Sequence, residues 1–141
     1  MKVLFVCRAN VSRSQTAKAL FDTLSEHDSE SAGTTVGDKD GETVRDHLAR
    51  VGISDFVFPI MAQQGLELRD NRRSQVTAAM VERADRIIVM TERDTLPDYL
   101  LNSEKVTHWK VRDTLRMPRE TTREIADQIR RHVVELVREI G

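Results

Sequence analysis

A chain of 141 residues is long enough to bury one hydrophobic core and too short for two large domains, and its 39% apolar residues suffice to fill that core. The formal net charge is −1, with 22 basic and 23 acidic side chains interspersed, so no overall field favours nucleic acid or anionic lipid. A lone cysteine excludes an internal disulfide and suits a reducing compartment; with no basic leader and no run approaching the ~20 apolar residues of a bilayer span, residues 1–141 are expected to form a single cytoplasmic domain.

Val3-Leu4-Phe5-Val6 reads as a short buried strand. From Ser14 onward, Ala17, Leu20, Phe21 and Leu24 fall three and four apart, as on one helix face. Glu30 to Thr34 is a second strand, and Val44, His47, Leu48 and Val51 mark a helix ended by Gly52. Ile53 to Ser74 carries no readable period, and an irregular excursion is expected there. Thr77 caps a helix running through Ala84, followed by a strand from Arg86 to Thr91. Leu96, Leu100 and Leu101 predict a helix with Pro97 near its first turn, and Val106 to Val111 the last strand. A final helix begins near Thr121 or Thr122 and carries Ile125, Ile129, Val133, Leu136, Val137 and Ile140. The alternation predicts an α/β fold: a four-stranded parallel sheet, doubly wound, with helices on both faces and a phosphate-sized loop after the first strand.

That loop is Cys7-Arg8-Ala9-Asn10-Val11-Ser12-Arg13, between a strand and a helix N-terminus. Such a loop offers consecutive backbone N–H groups and the positive end of a helix dipole to one anion. The thiolate is the nucleophilic form of cysteine, and a helix N-terminus with a nearby arginine favours it. Arg13 can grip two phosphoryl oxygens through its planar fork, which lysine cannot. Asn10 tolerates left-handed backbone better than other non-glycine residues. In a doubly wound sheet, ligands sit beyond the carboxyl ends of the strands, so a residue following the last strand, such as Asp113, can converge on the same anion.

The segment Val6 to Ser14 resembles the phosphate-binding loop of the low-molecular-weight protein tyrosine phosphatases. The resemblance continues through Ser31-Ala32-Gly33-Thr34, Gln75-Val76-Thr77, Val81 to Met90, and His108 to Asp113, nearly the whole chain in the family's order. It implies that Cys7 is the nucleophile, Arg13 the phosphate clamp and Asp113 the general acid. It further implies that Ser14 bonds the thiolate, that Asn10 braces the loop, and that Arg8, Ala9, Val11 and Ser12 complete the phosphate cradle. The implied reaction is phosphomonoester hydrolysis through a phosphocysteine, without metal or cofactor. Phosphotyrosine protein or a small phosphomonoester is the expected partner, with inorganic phosphate as product and neither nucleic acid nor membrane involved. Arsenate reduction with an external small thiol, a phosphocysteine carrier and a non-catalytic phosphate-binding protein are the alternatives.

The chain departs from the family at named places. Asp113-Thr114-Leu115 stands where Asp-Pro-aromatic is usual, Ala9 replaces a common glycine, and Ser12 replaces a frequent second cysteine. Phe56 or Phe58 is the expected replacement for the missing aromatic wall. Arg72 and Arg73 read as a solvated pair, Thr35 to Gly41 as an edge of the pocket, and the four histidines as surface or helix-face residues without metal spacing.

Overall fold

The computed structural model describes residues 1–141. In chain order it holds β1 (Lys2–Cys7), α1 (Arg13–Leu24), β2 (Asp28–Gly33), α2 (Val44–Val51), α3 (Val57–Gln63), α4 (Ala78–Arg83), β3 (Arg86–Val89), α5 (Asp98–Leu101), β4 (Val106–His108) and α6 (Arg119–Ile140). All strand pairs are parallel and the sheet order is β2-β1-β3-β4. The chain leaves β1 first toward β2 on one side and later returns to β3 on the other. The winding therefore reverses at the carboxyl end of β1, where doubly wound sheets bind ligands.

Alternation along the strands divides the core between the two faces. Val3 and Phe5 of β1 and Ile88 of β3 point to the face covered by α1, α3 and α6, joining Phe21, Ile129 and Val133. Leu4 and Val6, with Ile87 and Val89, point to the other face with Val81, Leu96 and Leu100 of the α4 and α5 region. Both faces of β1 are thus covered, which explains why its sequence is continuously apolar. Phe5 sits edge-on to Phe21, and Trp109 stacks on His132 of α6 at 4.8 Å. No helix is long and apolar enough to cross a membrane.

The expected irregular excursion contains a helix. In α3, Val57, Phe58, Ile60 and Met61 are buried. Pro59 is the third residue of α3, a first-turn position whose N–H has no intrahelical acceptor in any case, so the proline does not break it. Two strands are also shorter than expected. β3 ends at Val89 and β4 at His108, although the Met90 amide still donates to the Val6 carbonyl at 2.8 Å and the Trp109 amide to the Val89 carbonyl at 3.0 Å. Finally, α6 starts directly after Pro118, ahead of Thr121, with the buried Thr122 hydroxyl donating to the Pro118 carbonyl at 3.0 Å.

Phe58 is 2% exposed, whereas Phe56 is 41% exposed with Arg119 over its ring. Phe58→Ala is expected to cost about 3–5 kcal/mol through the cavity it leaves. Phe56→Ala is expected to cost about 1 kcal/mol or less, the worth of an exposed cation–π contact. Urea denaturation of the two variants measures the difference.

Candidate active site

The loop from Cys7 to Arg13 is built so that its amides stay free. None of the backbone N–H groups of residues 8 to 15 donates to an acceptor within the protein. Asn10 stands at φ 55°, the left-handed turn that lets successive N–H groups form a concave anion nest. Ser12 occupies the N-cap of α1, but its hydroxyl makes no capping bond to the helix amides and goes to Thr114 at 2.5 Å. The first turn of α1 therefore keeps its orphan donors.

Cys7 ends β1 and is 2% exposed. Its Sγ lies 3.0 Å from Ser14 Oγ. Asn10 Nδ2 donates to that same Oγ at 2.7 Å and to Ser31 Oγ at 3.1 Å. Because Ser14 Oγ accepts from Asn10, its own proton is available to the sulfur. The Asn10 Oδ1 accepts from the Ser74 amide at 2.8 Å and from Gln15 Nε2 at 3.3 Å, which fixes the amide orientation.

Arg13 is 5% exposed and is held by the carbonyls of Met90 and Val111, the latter at 3.2 Å. Its Nη2 faces Asp113 Oδ2 at 4.0 Å, and the Asp113 side chain is about half exposed. At that distance and exposure the pair contributes little to stability. What it does is place a carboxylate at the rim of a pocket that has the thiol and the guanidinium in its lining. This cavity, about 70 Å³, is lined by Cys7, Ala9, Val11, Ser12 and Arg13 from the loop, by Asp113 and Leu115, and by His47, Leu48, Ile53 and Asp55. A larger open groove of about 760 Å³ runs beside α1 and β2 but includes none of Cys7, Arg13 or Asp113. Chemistry, not size, distinguishes the smaller one.

The structure thus brings together Cys7, Arg13, Asp113, Asn10 and Ser14. It corrects several expectations around them. Phe58 belongs to the core and Phe56 packs against Arg119, so neither walls the pocket; aliphatic Val11, Leu48, Ile53 and Leu115 do. The segment Thr35 to Gly41 does not edge the pocket; Thr35 supports the loop from outside, donating its N–H and hydroxyl to the Arg8 carbonyl at 2.9 and 3.1 Å. Arg73 is not solvated: it is 3% exposed, with Nε on the Ala9 carbonyl at 3.0 Å and Nη1 on Glu42 at 2.8 Å. Arg72 is exposed and bonds the Gly41 carbonyl.

His47 and Asp55 are pocket residues that the sequence reading missed. Burial and the nearby Arg73 charge hold His47 below its ordinary value, against the effect of Glu42. Burial pushes the Asp55 carboxyl up, against the bonds it accepts from Thr114 and the Val57 amide. An Asp just ahead of an apolar run is a helix-start signal that could have located it. Glu42 joins the loop to α2: it accepts from Arg73, takes a forked pair of bonds from Arg50, and lies 3.5 Å from His47. Arg50, then Arg73, lower the Glu42 carboxyl to about 2 against the effect of burial.

Fold and site together define an α/β protein with a thiol and a guanidinium in one amide-lined pocket. The family model for low molecular weight phosphotyrosine protein phosphatase matches residues 2–141, and the chain belongs to that family. A sequence comparison with curated proteins finds no match. Among solved structures, the low molecular weight protein tyrosine phosphatase of T. tengcongensis is 20% identical, with 99% of each chain covered and a TM-score of 0.77. Vibrio vulnificus Wzb, solved in complex with benzylphosphonate, is 18% identical over 98% of this chain and 97% of that chain, with a TM-score of 0.79. An arsenate reductase from Archaeoglobus fulgidus is 27% identical over 96% and 98%, with a TM-score of 0.68.

Because the folded Glu42 carboxyl titrates at about 2 instead of its ordinary 4.5, its stabilising effect is complete above 4.5 and is lost as pH falls toward 2. Glu42→Gln is therefore expected to lower Tm by a constant amount near neutral pH. The deficit should narrow progressively between pH 4.5 and 2, and calorimetry across that range checks it.

Proposed function

We propose that the chain hydrolyses phosphomonoesters, phosphotyrosine on protein foremost, through a phosphocysteine on Cys7 with Asp113 as general acid and base. The observation that carries this reading is the run of unpaired backbone N–H groups from residue 8 to residue 15 in the loop that also holds the buried Cys7 and Arg13. The donors of residues 13 to 15 belong to the first turn of α1, where any helix leaves them free, but those of residues 8 to 12 extend the run through the loop and, with a guanidinium beside them, suit a multiply charged oxyanion.

The chemistry follows from the positions. The Cys7 thiolate, stabilised by Ser14, attacks phosphorus; the bond from phosphorus to the ester oxygen breaks, and Asp113 gives its proton to the departing oxygen. Loop amides and Arg13 hold the equatorial oxygens as charge spreads over them. Water then attacks the phosphocysteine while ionised Asp113 takes its proton, releasing inorganic phosphate and regenerating the thiolate. Arg8, Ala9, Asn10, Val11, Ser12 and Ser14 serve the phosphoryl group through backbone or brace, not as reacting groups.

For the organic part of the substrate, the side chains of Leu48, Ile53, Leu115 and His47 offer a largely apolar rim beside the thiol and the guanidinium. An aryl ring fits this apolar rim; benzylphosphonate bound to Vibrio vulnificus Wzb is a ligand of that shape. Arsenate reduction would require an external thiol here, since Cys7 is the only cysteine.

Cys7→Ser is expected to leave less than about a hundredth of wild-type turnover while keeping phosphate affinity. Asp113→Asn is expected to lower kcat for a tyrosine phenolate leaving group by roughly 10²- to 10⁴-fold and for an activated aryl ester much less. Retained turnover in the first variant, or a loss independent of leaving group in the second, contradicts the mechanism. Arsenate turnover with glutathione exceeding phosphotyrosine peptide hydrolysis would assign the reductase activity instead.

A further inference from the structure

Between the end of β4 at His108 and the start of α6 at Arg119 there is no regular element, yet Asp113 must meet the leaving oxygen from within this stretch. Local bonds do little to fix it: the Leu115 amide donates to Asp113 Oδ1 at 3.2 Å, the Met117 amide to the Thr114 carbonyl at 3.1 Å, and Arg116 adopts a left-handed φ of 59°. The side chains that fix it come from elsewhere. Two consecutive residues of the phosphate loop hold two residues flanking Asp113: Arg13 donates to the Val111 carbonyl, and Ser12 bonds the Thr114 hydroxyl.

Thr114 is fully buried. Its Oγ1 donates to Asp55 Oδ2 at 2.6 Å, so the 2.5 Å bond to Ser12 runs the other way, with Ser12 donating. Asp55 in turn accepts from the Val57 amide at 2.9 Å through its other oxygen, anchoring the chain of bonds on the start of α3. Ser12, Thr114 and Asp55 form a continuous hydrogen-bonded line from the phosphate loop through the Asp113 loop to a separate helix, all at 8% exposure or less.

We propose that Thr114 is the positioning residue for Asp113: its buried hydroxyl latches the loop carrying the acid to the phosphate loop through Ser12 and to α3 through Asp55. The proposal rests on the reading of Asp113 as general acid. A residue that merely filled space at this position could equally be valine, which matches threonine in shape. With valine, however, Ser12 and Asp55 lose their shared partner while buried, which is an unfavourable state relieved by lifting the loop and admitting water. Displacing Asp113 by a fraction of an ångström weakens proton delivery without touching the thiolate or the phosphoryl cradle.

The test is kcat across aryl phosphates of graded leaving-group pKa for Thr114→Val, Thr114→Ser and Asp113→Asn, with competitive inhibition by inorganic phosphate measured on each. Thr114→Val is expected to lose roughly tenfold in kcat for a phenolate leaving group, part of the general acid's worth, and little for 2,4-dinitrophenyl phosphate. Phosphate inhibition should be unchanged, and Thr114→Ser, which keeps the hydroxyl, should stay close to wild type. Equal losses on all esters, no loss, or a Thr114→Ser defect matching Thr114→Val overturns the latch. Should Thr114→Val not fold by circular dichroism, Ser12→Ala removes one side of the latch and must show the same leaving-group dependence; a flat response overturns it. If Asp113→Asn is itself independent of leaving group, the acid reading fails and the latch with it. If Asp113→Asn is dependent and Thr114→Val is flat, the latch alone fails.

Discussion

A loop that keeps the backbone N–H groups of residues 8 to 15 from every internal acceptor must be held by its carbonyls and side chains alone. Its carbonyls are used one after another. The Cys7 carbonyl accepts from the Thr34 amide, the Arg8 carbonyl from Thr35, the Ala9 carbonyl from Arg73, the Asn10 carbonyl from Gln15 and the Ser12 carbonyl from the Thr16 amide. Asn10 supplies the interior brace, through four bonds to Ser14, Ser31, Ser74 and Gln15. The donors are thus preorganised, and an incoming oxyanion meets dipoles that need not reorient.

Much of the surrounding sequence reads as a consequence. Gly33 closes β2 beside Cys7, and a Cβ there would lie 2.6 Å from the Arg8 carbonyl oxygen and 2.9 Å from the Asn10 nitrogen, so the loop packs this closely only against glycine. Arg73 is buried because the Ala9 carbonyl needs a donor, and Glu42 is placed to neutralise the charge so buried. Glu42 then ties α2, which carries the pocket residues His47 and Leu48, to the loop through Arg50 and Arg73. Arg13 spends one guanidinium nitrogen on two carbonyls beyond the strand ends, those of Met90 and Val111.

The sheet, its four strands and every helix but α3 were legible because burial on both faces writes continuous apolar runs into β1 and β3 and helical spacing into α1 and α6. The loop was legible because a thiol, an Arg and a helix start at that spacing are local. What escaped were features that depend on contacts distant in sequence. The helix α3 was hidden by Pro59 and by its seven residues, too few to show a period. Arg73 looked solvated because its partners, Ala9 and Glu42, lie 64 and 31 residues away. The Ser12–Thr114 contact spans 102 residues and Thr114–Asp55 spans 59, so neither could be read from Asp113-Thr114-Leu115.

The account stands on covalent transfer of the phosphoryl group to Cys7 inside the amide cradle. Rapid acid quench during turnover of p-nitrophenyl phosphate, followed by mass spectrometry of the peptide containing Cys7, tests this directly. The account predicts that this peptide, and no other, gains the mass of one phosphoryl group at a rate no slower than turnover. Steady turnover with an unmodified Cys7 peptide throughout the time course would contradict it.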